Sequence, residues 1–184
     1  MRALGIDPGS RVTGWGVVET RGVALAHVAS GTIPLKTTTS LASRLAWLYA
    51  ECLRLLAEWQ PEVVVLEQAF VGRNVQSAFR LGEARGAVLA AVASSGATLF
   101  EYAPAAVKLA AVGHGQADKL AVGRGVTARL GLVGELAADA ADALALALCH
   151  SWRARVERDV PAIDGTVPSR LQTAITAALA QDPR

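Results

Sequence analysis

The sequence predicts an α/β layer architecture, a mixed five-stranded sheet flanked by helices, and three observations predict it. From Arg2 to Leu35 the chain reads as strand-like segments broken by turn residues. Beyond them, helical and strand-like stretches alternate, the signature of parallel units added to an antiparallel meander. Within that alternation, Val63-Val64-Val65-Leu66 is a continuous apolar run, as in parallel strands buried on both faces.

In chain order, Arg2 to Asp7 is a strand, Pro8-Gly9-Ser10 a turn, and Val12 to Thr20 a second strand with small residues at Gly14 and Gly16. Val23 to Leu35 is a third strand, expected to bend near Gly31. Ser40 is placed to cap a long helix in which Leu41, Leu45, Leu48, Cys52, Leu55, Leu56 and Trp59 recur at helical spacing, and Pro61 stops it. Val63 to Leu66 is the fourth strand. A polar loop carrying Phe70-Val71-Gly72-Arg73-Asn74 leads into a helix running through Ala93. Thr98 to Tyr102 is the fifth strand, and Pro104 opens a short helix that ends near Gly113. Gly113-His114-Gly115 reads as a hinge. Further helices are expected from Asp118 to Leu130 and from Ala137 to about Arg153.

At 184 residues the chain suits one domain with a core of its own. The expected division is a domain over 1–153 and a C-terminal tail over 154–184, in which Pro161, Gly165 and Pro168 read as linker and Leu171 to Ala180 has the pattern of a short helix. A hydrophobic share of 52% with 18% charge excludes wholesale disorder. No apolar run approaches the roughly 20 residues of a membrane span, and the N-terminus lacks a signal-peptide layout, so a cytoplasmic protein is expected. Cys52 and Cys149 lie far apart in apolar helical patterns, where thiols fill cores. From residue 71 to 130 seven basic residues stand against three acidic ones, a local excess that suits a polyanion.

Four carboxylates carry the chemistry. Asp7 closes the apolar run Ala3-Leu4-Gly5-Ile6, and Glu67 closes the run from Val63. Acids that end buried strands are costly to desolvate unless positive charge compensates them. In adjacent parallel strands both would emerge at one sheet edge, the edge where ligands bind in open α/β sheets. Asp139 and Asp142 stand three apart in an alanine-rich helical segment and share its face. Singly, each has an ordinary explanation as a turn acceptor or a helix-dipole residue. Jointly they form a set of hard oxygen donors for divalent cations.

The run Gly5-Ile6-Asp7-Pro8-Gly9-Ser10-Arg11-Val12-Thr13-Gly14-Trp15-Gly16-Val17 resembles the start of the RuvC family of bacterial Holliday junction resolvases. Glu67-Gln68-Ala69-Phe70, Leu81-Gly82-Glu83-Ala84-Arg85-Gly86 and Asp139-Ala140-Ala141-Asp142-Ala143-Leu144-Ala145 agree with that family in order and spacing. Phe100-Glu101-Tyr102-Ala103 and Val107-Lys108 fall between them in family-like positions, so the resemblance covers residues 1 to about 152.

It implies a ribonuclease H-like fold and a structure-selective endonuclease that resolves four-way DNA junctions by paired symmetric nicks, leaving 5′-phosphate and 3′-hydroxyl ends. Asp7, Glu67, Asp139 and Asp142 would be its catalytic metal-binding acids, holding two Mg²⁺ ions, with Mn²⁺ equally suited to an all-oxygen site. Lys108 and Lys119 would act beside them on DNA phosphate. Phe70 would stack on a base at the opened junction or anchor its loop, and Arg73, Asn74, Arg80, Arg85 and His114 would contact the DNA backbone. The resemblance further implies a homodimer, assembled through the helix that carries Ala78, Leu81, Ala84, Arg85 and Val88. It implies the branch-migration proteins RuvA and RuvB as partners in recombination and DNA repair.

Three other readings remain at the level of sequence. They are a ribonuclease H-type enzyme cutting RNA in hybrids, a sugar kinase or actin-type phosphotransferase, and a junction-binding scaffold without activity. The chain is short for a two-domain phosphotransferase, and all four acids are present, unlike in an inactive scaffold.

Overall fold

In the computed structural model, which describes residues 1–68, 75–134 and 136–159, the central strand is the one that ends in Asp7. This strand, β1 (Arg2–Asp7), pairs antiparallel with β2 (Val12–Arg21), which pairs antiparallel with β3 (Ala24–Pro34). On its other side β1 pairs parallel with β4 (Val63–Glu67), which pairs parallel with β5 (Thr98–Tyr102). The order β3-β2-β1-β4-β5 is the mixed five-stranded sheet expected from the sequence. The helices are α1 (Leu41–Trp59), α2 (Val75–Ser95), α3 (Pro104–Val112), α4 (Lys119–Leu130) and α5 (Ala138–Asp159). Met1–Arg153 forms one compact unit and Ala154–Arg184 a second; the whole sheet belongs to the first.

Alternation along the strands builds two cores, one on each face of the sheet. Leu4, Ile6, Val64 and Leu66 pack with Leu48, Cys52 and Leu55 of α1 and with Ala84, Val88 and Ala91 of α2. Ala3, Val63 and Val65 pack with Val107 of α3, Val122 and Val126 of α4, and Leu144 and Leu148 of α5. Both cysteines are buried and free of disulfides, Cys52 in the first core and Cys149 in the second.

Local signals set the ends of these elements. The Ser40 side chain accepts from the Ser43 amide at 3.1 Å, as expected of a cap. Gln60 closes α1 in the left-handed region at φ 44°, just ahead of Pro61. Asp118 caps α4 by accepting from the Ala121 amide at 2.7 Å, and Gly113 at φ 87° closes α3.

Three glycines decide how closely α5 approaches the sheet. Gly5 pairs with Gly16 across β1 and β2, and Gly14 pairs with Asp7. A Cβ at Gly5 would collide with the Ala143 carbonyl, at Gly14 with the Asp139 carbonyl, and at Gly16 with the Leu144 side chain. The absent side chains therefore let the α5 backbone lie directly on β1 and β2.

Two expectations need correction. The strand irregularity lies between Val17 and Val18, where the register steps from Ala29 to His27 and leaves Val28 unpaired, the mark of a bulge. Gly31 instead gives room to the Trp15 indole, which a Cβ there would meet at 3.0 Å. The last helix runs to Asp159, six residues beyond the expected end. Apolar spacing fades after Trp152, but nothing in Arg153-Ala154-Arg155-Val156-Glu157 breaks a helix.

Candidate active site

Asp7 and Glu67 reach the same place because their strands are adjacent, parallel and in matching phase. Ala3 pairs with Val63 and Gly5 with Val65. Two residues further along each strand stand Asp7 and Glu67, at the carboxyl edge and on the face that α5 covers. The glycine cradle then sets the first turns of α5 over that edge. Asp7, Glu67 and Asp142 together line a cleft of ≈ 180 Å³, with Lys108 from α3 and Lys119 from α4 on its walls. Pro104, Val107, Val122 and Leu146 supply its apolar lining. Asp139 is not part of that lining, yet it lies close enough to act on Asp7 electrostatically.

The electrostatics are those of anions held together. Burial, then the charges of Asp142 and Glu67, pushes the Asp7 carboxyl from 3.8 up to about 7; Lys119 opposes this and Asp139 adds to it. Burial and the charge of Asp142 also raise Glu67, against Lys119, Lys108 and Arg85. Lys119 Nζ donates to Asp142 Oδ2 at 3.0 Å, and that bond raises the Lys119 ammonium above its usual range. One lysine is the only hydrogen-bonded cation on these acids among the described residues.

The donor set fits a hard divalent cation. It is all oxygen, it is partly desolvated, and its mutual repulsion is what such a charge would relieve. Among the described residues no three His, Cys, Asp or Glu side chains are already gathered into a single ion-holding group. A hard divalent cation held by one or two carboxylates completes its shell with water and substrate phosphate.

The other candidate residues divide by location. His114 is exposed in the turn between α3 and α4 and lies outside the cleft. Arg80 is exposed on α2, also outside it. Phe70, Arg73 and Asn74 lie outside the described residues. Arg85, expected at the DNA surface, is turned inward instead. Its Nη1 donates to the Glu67 carbonyl at 2.7 Å, its Nη2 pairs with the Glu101 carboxylate, and its side chain is only 13% exposed. It clamps the end of β4 to β5 from the face opposite the cleft.

Sequence reasoning missed that clamp, although Glu101 offered a signal as a single acid between two strand aromatics. His150 is buried, with Nδ1 2.8 Å from the Tyr102 hydroxyl and its ring against Phe100. It supports β5, which is paired to the Glu67 strand. On α2, Ala84 and Val88 face the core with α1, whereas Phe79, Gly82 and Gly86 are exposed.

The chain and its fold have counterparts among known proteins. Residues 3–150 match the family model described as crossover junction endodeoxyribonuclease RuvC. The chain is similar to the crossover junction endodeoxyribonuclease RuvC of Alkalilimnicola ehrlichii, 50% identical over 156 residues that cover 85% of this chain and 94% of that protein. Among solved structures it is similar to Thermus thermophilus RuvC, with a TM-score of 0.77 and 35% identity over 85% of this chain and 97% of that one. It is equally similar in shape to T. thermophilus RuvC in complex with Holliday junction substrate, with a TM-score of 0.77 and 32% identity over 85% of this chain and 96% of that one.

Proposed function

This chain belongs to the RuvC family of crossover junction endodeoxyribonucleases, and from that premise we propose that it resolves four-way DNA junctions by metal-dependent hydrolysis at the Asp7–Glu67–Asp142 cleft. The observation that carries the reading is the convergence of Asp7, Glu67 and Asp142, from three distant parts of the chain, with Lys108 and Lys119 on one cleft. Asp139 is the fourth acid of the set. These carboxylates would hold divalent ions, two Mg²⁺ or their Mn²⁺ equivalents, which would supply charge neutralisation at phosphate and activation of water.

The chain's own residues do the rest. Asp7 and Glu67 project from strands that cannot shift independently, so the donor positions are fixed before substrate arrives. Lys119, bonded to Asp142, and Lys108, across the cleft, present ammonium groups to the negative oxygens of a phosphodiester. The apolar wall from Val107, Val122 and Leu146 excludes water from one side, which strengthens each of these interactions. Hydrolysis on this arrangement leaves 5′-phosphate and 3′-hydroxyl ends.

Two matched nicks need two sites related by two-fold symmetry, and an isologous homodimer supplies them. The exposed face of α2, with Phe79 beside Gly82 and Gly86, permits the close helix approach such a pairing needs. Among the described residues no helix is long and apolar enough to cross a membrane, which accords with action on DNA in the cytoplasm. RuvA and RuvB are the partners this reading proposes.

The test is cleavage of a synthetic four-way junction, with an RNA–DNA hybrid duplex alongside. Expected are metal-dependent nicks placed symmetrically in two opposed strands and an intact hybrid. Cleavage of the hybrid with an intact junction would sink the reading.

A further inference from the structure

The turn that follows Asp7 leads to a second pocket, on the other face of the sheet. It has a volume of ≈ 300 Å³ and is formed where Ser10 and Arg11 of the turn meet Thr37, Arg44 of α1 and Arg80 of α2. Three arginines thus line one concavity, and no acidic residue lines it. Arg2, Arg21, Arg54 and Arg85 each pair with a glutamate, whereas Arg11, Arg44 and Arg80 have no ion pair among the described residues. The Arg44 Nε is shut off from solvent and has no hydrogen-bond partner among those residues. An unpaired buried donor of this kind is uncommon in a folded protein, and like charges brought together without a counter-ion repel.

We propose that this Arg11–Arg44–Arg80 pocket is a second phosphate-binding site, which holds the sugar-phosphate backbone of the DNA strand entering the cleft. Guanidinium forks match phosphate oxygens, and Ser10 and Thr37 add hydroxyl donors. DNA backbone, rather than a free anion, is favoured by position. Arg11 follows Asp7 by four residues, so their Cα atoms lie at most about 14 Å apart, roughly four nucleotide rises along a strand. A phosphate seated here therefore lies within a few nucleotide lengths of the one at Asp7, and the pocket positions the DNA that enters the cleft. The assignment rests on the nuclease reading for its geometry, but its charge argument applies to any DNA backbone.

The test uses the full chain carrying Asp7→Asn, so that DNA stays uncut. Affinity for a four-way junction and for a plain duplex is followed from 50 to 200 mM salt. Adding Arg44→Gln or Arg80→Gln should flatten the plot of log affinity against log salt by about 0.9 for each phosphate released. The loss should be similar for every DNA sequence. Arg54→Gln, a surface charge paired within α1, should leave the slope in place. Arg80 is exposed, so its variant reports without risk to folding.

Unchanged slopes on both DNAs overturn the proposal. So does an inorganic phosphate titration that raises the melting temperature of the parent but not of Arg44→Gln while the DNA slopes stay equal, because the pocket then serves a free anion. If the unsubstituted chain leaves junctions intact in the presence of Mg²⁺ while the Asp7→Asn background shows the flattened slopes on duplex, the nuclease reading falls and this one stands.

Discussion

Four acids around one cleft make the protonation of Asp7 the quantity that links stability to the site. Its carboxyl is raised from 3.8 to about 7, by burial first and by Asp142 and Glu67 next. The metal-free fold therefore binds that proton more tightly than the unfolded chain does. The resulting stability is fully present below about pH 4 and is lost as the pH rises to about 7. Asp7→Asn removes this loss. Without metal, its melting temperature should match that of the parent near pH 4 and exceed it at pH 8, by at most about 4 kcal/mol in stability. Added Mg²⁺ should raise the parent's melting temperature at pH 8 and leave that of Asp7→Asn nearly unmoved. A difference that is flat across pH would refute the account. The same variant should bind junctions without cutting them. Arg85 acts one step away, since its bonds to the Glu67 carbonyl and to Glu101 hold the strand end that presents the Glu67 carboxylate. Arg85→Gln should cost about 1–3 kcal/mol of stability and lower kcat with little change in junction affinity. A loss confined to affinity would show that Arg85 touches DNA after all.

At the scale of elements, α5 is set by the glycines beneath it. Gly14→Ala should push the Asp139 turn away from β2, because the new methyl meets a backbone carbonyl that cannot rotate aside. We expect about 1–3 kcal/mol of destabilisation and a fall in kcat on the order of 100-fold, since displacement by about 1 Å has that effect in a preorganised site. Normal kcat with lowered stability would separate packing from positioning.

All ten elements were legible in the sequence because their ends carry local chemistry: Ser40, Pro61, Pro104, Gly113 and Asp118 each act on the backbone at their own position. The acids Asp7 and Glu67 were legible because each ends an apolar strand. The Val28 bulge was not, because an extra residue in a strand has no residue-type signature when both neighbours are apolar or small. The role of Arg85 and the convergence of Arg11, Arg44 and Arg80 were hidden for a related reason. They depend on which residues of separate elements face each other, and no spacing along the chain encodes that.

For the whole molecule, the exposed α2 face leads to an expectation about assembly. Phe79 is 69% exposed beside Gly82 and Gly86, so Phe79→Glu should leave the fold intact and weaken self-association. Sedimentation should then show monomer, and junction cleavage should proceed by single unpaired nicks. A Phe79→Glu protein that stays dimeric and nicks both strands would place the interface elsewhere. The two-core architecture also separates the acidic cleft from the α2 face. The cleft lies on the side of the sheet covered by α3, α4 and α5, while α2 packs on the other, so two copies joined through α2 would keep both clefts open to DNA.

The order in which the four acids occur along the chain bears on synthesis at the ribosome. Asp7 and Glu67 are made early, but Asp139 and Asp142 belong to the last helix described. A nascent polypeptide that has folded its first four strands still lacks half of its acidic donors, and no earlier segment replaces them. The cleft that Asp7 and Glu67 begin is thus complete only once α5 has been made.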